Sequence, residues 1–175
     1  FLLQNTVDFK WKENRLPYSK MEEVDRWVLV HFEEIKARVL KAYDAYEFHV
    51  VLSELNRFAA VTLSGFYLDA LKDRLYCEAV DSPKRRSTQT ALYQLTHGLA
   101  VLLAPLLSFT AEEAFLELRK NSNPGLPESV FLEEISSLEK VVFDQALFDR
   151  WEKIFQVRGL INDVLDQKRK TDVLK

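Results

Sequence analysis

Lys84, Arg85 and Arg86 stand together, and Ser87, Thr88, Gln89 and Thr90 follow them without a break. Cationic groups, hydroxyls and an amide are all hydrogen-bond donors, and such a set is suited to holding a phosphate. Their position adds to the interest. The pattern that follows predicts a helix capped by Ser82 or Asp81, with Pro83 at its first position. The cations then crowd a helix N-terminus, where the macrodipole favours acids. An external phosphate would resolve that conflict, with the free N–H groups of the first turn as additional donors. A solvated turn paired to nearby acids such as Asp81 or Glu78 would resolve it equally well. A second basic run, Lys168, Arg169 and Lys170, ends the last predicted helix, where the same dipole welcomes cations and no ligand is needed.

No catalytic constellation accompanies these clusters. His31, His49 and His97 fall on three predicted helices without metal-ligand spacing, and read as core or boundary histidines. Cys77 is the only cysteine and has no evident activator beyond Arg74, so it reads as a buried or inert thiol. Glu112–Glu113 and Glu133–Glu134 suit a helix N-terminus and a solvated loop better than paired acid–base carboxylates. Four glycines could hardly build a phosphate-cradling loop.

The elements that must position the basic run are helical. The chain has 175 residues, 47% of them hydrophobic and 29% charged, which fits one globular domain able to bury a core. Few Gly and Pro argue against an all-β sandwich. The net charge of −3 argues against indiscriminate nucleic-acid binding while allowing a local basic face. One cysteine permits no internal disulfide and fits a cytoplasmic location. No apolar stretch is long enough for a membrane span. An opening without Met and an ending at "DVLK" give the look of an excised fragment.

Residues 1–20 read as the end of an upstream helix followed by a linker. Val24, Trp27, Val28, His31, Ile35 and Val39 then mark an amphipathic helix from Glu22 to Tyr46, with Glu33, Glu34, Lys36 and Lys41 on its other face. The spacing of Phe48, Val51, Leu55, Phe58 and Phe66 predicts one long helix from Glu47 to Tyr76, with Gly65 marking a close crossing or a bend. Leu92, Leu95, Leu99, Leu102 and Leu106 form the stripe of a third. Pro105, inside "LLAPLLSFTAEEAF", ends or kinks that helix. Thr110 and Glu113 have the spacing of a capping box, so the next helix is expected from Thr110 to Lys120. "SVFLEEI" reads as a strand-like excursion. Leu147, Trp151, Ile154, Val157, Ile161 and Val164 mark a last helix from Asp144 to Lys170. The expected fold is all-α: an antiparallel bundle of four long helices with one short, capped helix.

The segment "AYDAYEFHVVLSELNRFAAVTLSGFYLDALKDRLYCEAVDSPKRRSTQTALYQLTHGLAVLLAPLLSFTAEEAF" closely resembles the anticodon-binding helical domain of bacterial-type isoleucyl-tRNA synthetases. "FLLQNTVDF" and "EEVDRWVLVHF" resemble the approach to that domain, and "WEKIFQVRGLINDVLDQKRK" its last long helix. The likeness runs from Phe1 to about Lys170 and is least diagnostic between Asn121 and Asp144. "FYLDALKDRLY", "RRSTQTALY" and "LAPLLSFTAEE" are its most specific pieces, and they separate the sequence from the valyl, leucyl, methionyl and cysteinyl relatives. At Gly65 the family more often has Ala or Ser.

The resemblance implies residues 1–20 as the end of a catalytic-core helix with its linker, 21–170 as the anticodon-binding domain, and 171–175 as the start of a C-terminal junction. It implies a class I synthetase that joins isoleucine to its tRNA with ATP and magnesium, with zinc in a C-terminal module. The family's HIGH and KMSKS signatures are missing from this chain, and "YSKME" is not one of them. The implied task is therefore to hold the anticodon stem-loop of isoleucine tRNA, in a monomer together with the catalytic and C-terminal domains of the same polypeptide. No catalytic, metal or cofactor residue is assigned here. The candidate tRNA contacts are Lys84, Arg85, Arg86, Gln89, Lys168, Arg169 and Lys170, with Arg57, Arg158 and Asn162 ranked below them and Arg74 alongside. Acids at i,i+4 explain the lower-ranked arginines equally well. A helical protein–protein scaffold is the alternative. A basic face would favour RNA, and an exposed apolar stripe would favour the scaffold.

Overall fold

The computed structural model describes residues 1–135, 141 and 143–170, without the side chain of Lys170. It divides into two units, Phe1–Val142 and Phe143–Lys175. All regular structure among the described residues is helical. The first unit contains α1 (Glu23–Asp44), α2 (Phe48–Arg57), α3 (Pro83–Leu103) and α4 (Ser108–Asn121).

α1 buries Val24, Trp27, Val28, Ile35 and Val39, as its spacing requires, against α2 and α3. Lys36 departs from its expected solvent face. Its ammonium lies 2.7 Å from Glu33, and this partner allows the side chain to be mostly covered. The crossing of α1 and α3 depends on Gly98, where an added Cβ would fall 2.5 Å from Phe32 Cε1. A Schellman turn reverses the chain after α1. Glu47 N–H donates to Ala42 O at 2.8 Å, Tyr46 N–H donates to Tyr43 O at 3.0 Å, and Tyr46 takes the left-handed φ of 58°.

The expected single helix from Glu47 to Tyr76 is a helical run of mixed winding. After α2 it widens into a π-helix over Phe58–Tyr67, then returns to short α-helical turns at Leu68–Ala70 and Lys72–Tyr76. Gly65 lies within the widened part. A Cβ there would sit 3.2 Å from Ala60 O, so glycine suits the altered winding rather than a helix crossing.

In α3, Leu92, Leu95 and Leu102 are fully buried, as expected of a core stripe. Leu99 is only half-buried. It lines an open cavity of about 480 Å³ together with Leu52, Leu55, Ala59, Leu103 and Leu107. Ala100, Val101 and Ala104 pack against Ala111 and Phe115 of α4 and against Val130.

The corner after α3 is built differently from the capping box expected at Thr110. α4 begins at Ser108, with Leu107 at the cap position and no side-chain cap. Leu107 N–H donates back to Leu103 O, and Ser108 Oγ donates to Ala104 O at 3.0 Å. The turn after Pro105 thus restarts the helix early and leaves Thr110 exposed within its first turn. Likewise "SVFLEEI" forms no strand. Val130–Leu132 is a 3₁₀ turn held by Glu112, which accepts from Val130 N–H at 2.8 Å and from Ser129 Oγ at 3.1 Å.

The second unit contains α5, Gln145–Lys170, started by Asp144, whose carboxylate accepts from Leu147 N–H at 3.0 Å. Ile154, Val157, Leu160, Ile161 and Val164 are exposed along it.

Candidate nucleic-acid interface

The cations at the start of α3 already have an anionic partner. Arg85 Nη2 donates to Asp8 Oδ2 at 3.0 Å. Arg86 Nη1 donates to Asp8 O at 3.2 Å and to Gln89 Oε1 at 2.8 Å, and lies 3.7 Å from Asp8 Oδ2. Gln89 Nε2 donates to Asp8 Oδ1 at 2.8 Å and to Asn5 O at 3.0 Å. Gln89 is fully buried, so its expected contact with RNA gives way to a structural role: its amide satisfies buried backbone. The acids suggested by proximity, Asp81 and Glu78, are not the partners; Glu78 instead accepts from Ser82 Oγ at 2.9 Å. Lys84 alone of the three basic residues is exposed.

The hydroxyls of the run also point inward. Asp25 of α1 is fully buried and accepts from Ser87 Oγ at 2.6 Å, from Tyr67 OH at 2.7 Å and from Thr88 Oγ1 at 3.3 Å. Arg74 Nη1 lies 3.6 Å from the same carboxylate. Burial pushes the Asp25 carboxyl above its usual range, while Ser87, Tyr67, Arg74 and Thr88 act to lower it. Burial and the neighbouring Asp25 hold the Tyr67 phenol well above its ordinary value. "RRSTQT" is therefore the hub that joins α3 to α1, to the π-helical segment and to Asp8.

What the hub holds is a strap. Ser122 at the end of α4 accepts from Trp11 N–H at 3.0 Å through its carbonyl and donates from Oγ to Thr6 O at 2.9 Å. Lys10 Nζ donates to Asn121 O. Trp11 stacks on Tyr93 of α3, with ring centroids 4.3 Å apart and planes 19° from parallel. Leu16 N–H donates to Thr90 Oγ1 at 3.1 Å, and Glu22 N–H to Ser87 Oγ at 2.8 Å. Residues 10–20 thus cross α3 from the end of α4 to the start of α1. They carry Lys10, Lys12, Arg15 and Lys20 against the single acid Glu13. Lys12, Arg15 and Lys20 are exposed, and no ion pair joins them, or Lys84, to an acid among the described residues.

Arg57 Nη2 donates to Glu54 at 3.1 Å. Arg158, Asn162 and Lys168 are exposed on α5, where Arg169 lies 3.6 Å from Asp166. The side chain of Lys170 lies outside the described residues. His31 stacks on Trp27, His97 is buried against Glu133 at 3.5 Å, and His49 is exposed. Glu133 is therefore turned inward rather than solvated. Cys77 is exposed, contrary to a buried thiol, because the helical run ends at Tyr76 beside it. No three His, Cys, Asp or Glu side chains converge as a metal set among the described residues. Nor is any described helix long and apolar enough to cross a membrane.

Residues 25–175 match the family profile of the anticodon-binding domain of tRNA ligase. The chain belongs to that family. It is 41% identical over 174 residues to the isoleucine–tRNA ligase of Carboxydothermus hydrogenoformans, covering 99% of this chain and 18% of the relative. It is 42% identical over 175 residues to that of Persephonella marina, covering 100% and 18%. The corresponding values for Burkholderia cenocepacia are 41% over 169 residues, 97% and 17%. The chain thus spans less than a fifth of the length of these curated relatives. In this anticodon-binding domain the strap lies wholly ahead of the matched residues, while its anchors on α3 fall within them.

Proposed function

We propose that this domain binds the anticodon stem-loop of isoleucine tRNA within a longer, monomeric, cytoplasmic isoleucine–tRNA ligase. ATP-dependent aminoacylation, with magnesium and a zinc-bearing C-terminal module, is carried by parts of that polypeptide other than residues 1–175. The family match over 25–175 carries the reading. An acidic-overall helical domain can bind RNA through one basic face, with affinity from released counterions and specificity from a few bases of an unpaired loop. Lys84 and the exposed cations of α5 (Arg158, Lys168 and Arg169), with Asn162, Lys170 and Arg57, are candidate contacts. Arg85 and Arg86 are engaged by Asp8, just ahead of the strap. The scaffold alternative draws on the exposed apolar stripe of α5, but the family match includes that helix.

The test is a gel shift of the chain with isoleucine tRNA and with a tRNA for another amino acid. Tighter retention of isoleucine tRNA, without ATP–pyrophosphate exchange by the chain itself, is the expected result. Equal failure of both tRNAs to shift at low salt would overturn the proposal.

A further inference from the structure

We propose that residues 10–20 form a second, distinct RNA-contacting element: a strap whose Lys12, Arg15 and Lys20, with Lys84 of α3, follow the phosphates of the bound RNA. This rests on the RNA-binding reading above and adds a surface to it.

Three observations carry it. The first is the contrast in pairing. Arg38, Arg57, Lys72, Arg74, Arg85 and Arg86 all lie against carboxylates. The strap cations and Lys84 have no such partner among the described residues, so their charge is open to an outside anion. The second is preorganisation. The strap is fixed through Trp11 N–H, Leu16 N–H and Glu22 N–H and through the Trp11–Tyr93 stack. The Arg15 guanidinium lies over the Trp11 ring, 5.1 Å from its centroid. A guanidinium held over an aromatic ring loses less freedom when it takes a phosphate than a free one does. The third is extent. The strap's anchors on α3, together with Lys84, run from residue 84 to residue 93, a helical rise of about 14 Å. A nucleic-acid strand with a phosphate every ~3.4 Å of axis would present about four charges over that length. Apolar cover does not explain these side chains, because Lys12, Arg15 and Lys20 are exposed and the aromatic packing beneath them is made by Trp11. A polyanion is the partner that fits these exposed, unpaired cations, and in this family that partner is RNA.

The experiment measures isoleucine tRNA affinity across a salt series, in the intact protein that carries these residues. Three forms are compared: wild type, K12A/R15A/K20A, and a control triple, K41A/K72A/K120A, that removes equal charge elsewhere. The strap variant is expected to flatten the plot of log affinity against log salt by about 0.7–0.9 per lost contact, and to weaken binding at least tenfold at low salt. The control should keep the wild-type slope. A strap variant with the wild-type slope, while wild type binds, would overturn the strap and leave the RNA reading standing. Failure of wild type itself to bind would remove both. Should the strap variant fold poorly, protection of unaltered protein from amine acylation decides the matter. Bound tRNA should shield Lys12 and Lys20 but not Lys41, and equal labelling of all three would contradict the proposal.

Discussion

His97 shows how a single buried group sets the pH response of this fold. Burial pushes its imidazole below the ordinary value of 6.5, and Glu133 at 3.5 Å only partly opposes that. His31, stacked on Trp27, is lowered for the same first reason, with Glu34 opposing. A lowered pKa means that the folded state holds fewer protons than the unfolded state in the window just below pH 6.5. Stability from these groups is therefore present above that value and lost as pH falls through the folded pKa values, at no more than about 1.4 kcal/mol per pH unit for each group. Denaturant midpoints should fall between pH 7.5 and 5.5, and His97→Gln should make that fall shallower. An unchanged pH profile in the variant would count against the role given to His97. Residue types were legible at this scale, but partners were not. The donor set at 84–90 was visible, yet its anion, Asp8, lies 77 positions from Arg85 and leaves no local signal. The sequence shows that Gln89 and the hydroxyls of Ser87 and Thr88 can donate, and only tertiary packing shows that they donate inward.

Among elements, apolar periodicity located α1, α3 and α5 to within a few residues. It could not see winding: a π-helical stretch keeps the same composition and changes only which carbonyl each N–H meets. Capping was the weaker guide. The Thr110–Glu113 spacing is a sound pattern, but the turn after Pro105 supplies Leu107 N–H with Leu103 O and starts α4 earlier. Thr110→Ala should therefore change stability by less than about 0.5 kcal/mol, against the roughly 0.5–2 kcal/mol expected of a true N-cap. Chemical denaturation of the two proteins decides between these outcomes. The strap was the element least visible in sequence. "KWKENRLPYSK" has neither helical nor strand periodicity, and its order comes from short helical turns at Trp11–Asn14 and Tyr18–Lys20 and from backbone bonds to Ser122, Thr90 and Ser87.

At the scale of the molecule, an overall negative chain carries exposed cations of residues 10–20 and Lys84 at the crossing of α3, and residues 25–175 match the anticodon-binding family. The resemblance visible in sequence and the family match agree on the anticodon-binding domain. Residues 1–20 are tied to α3 by Asp8, Trp11 and Leu16. The central claim is that this chain grips the anticodon arm. Hydroxyl-radical footprinting of isoleucine tRNA bound to the chain tests it most directly. Protection confined to the anticodon stem and loop, with the acceptor stem as open as in free tRNA, is the predicted result. Protection centred on the acceptor stem, or none at concentrations that saturate a gel shift, would contradict it.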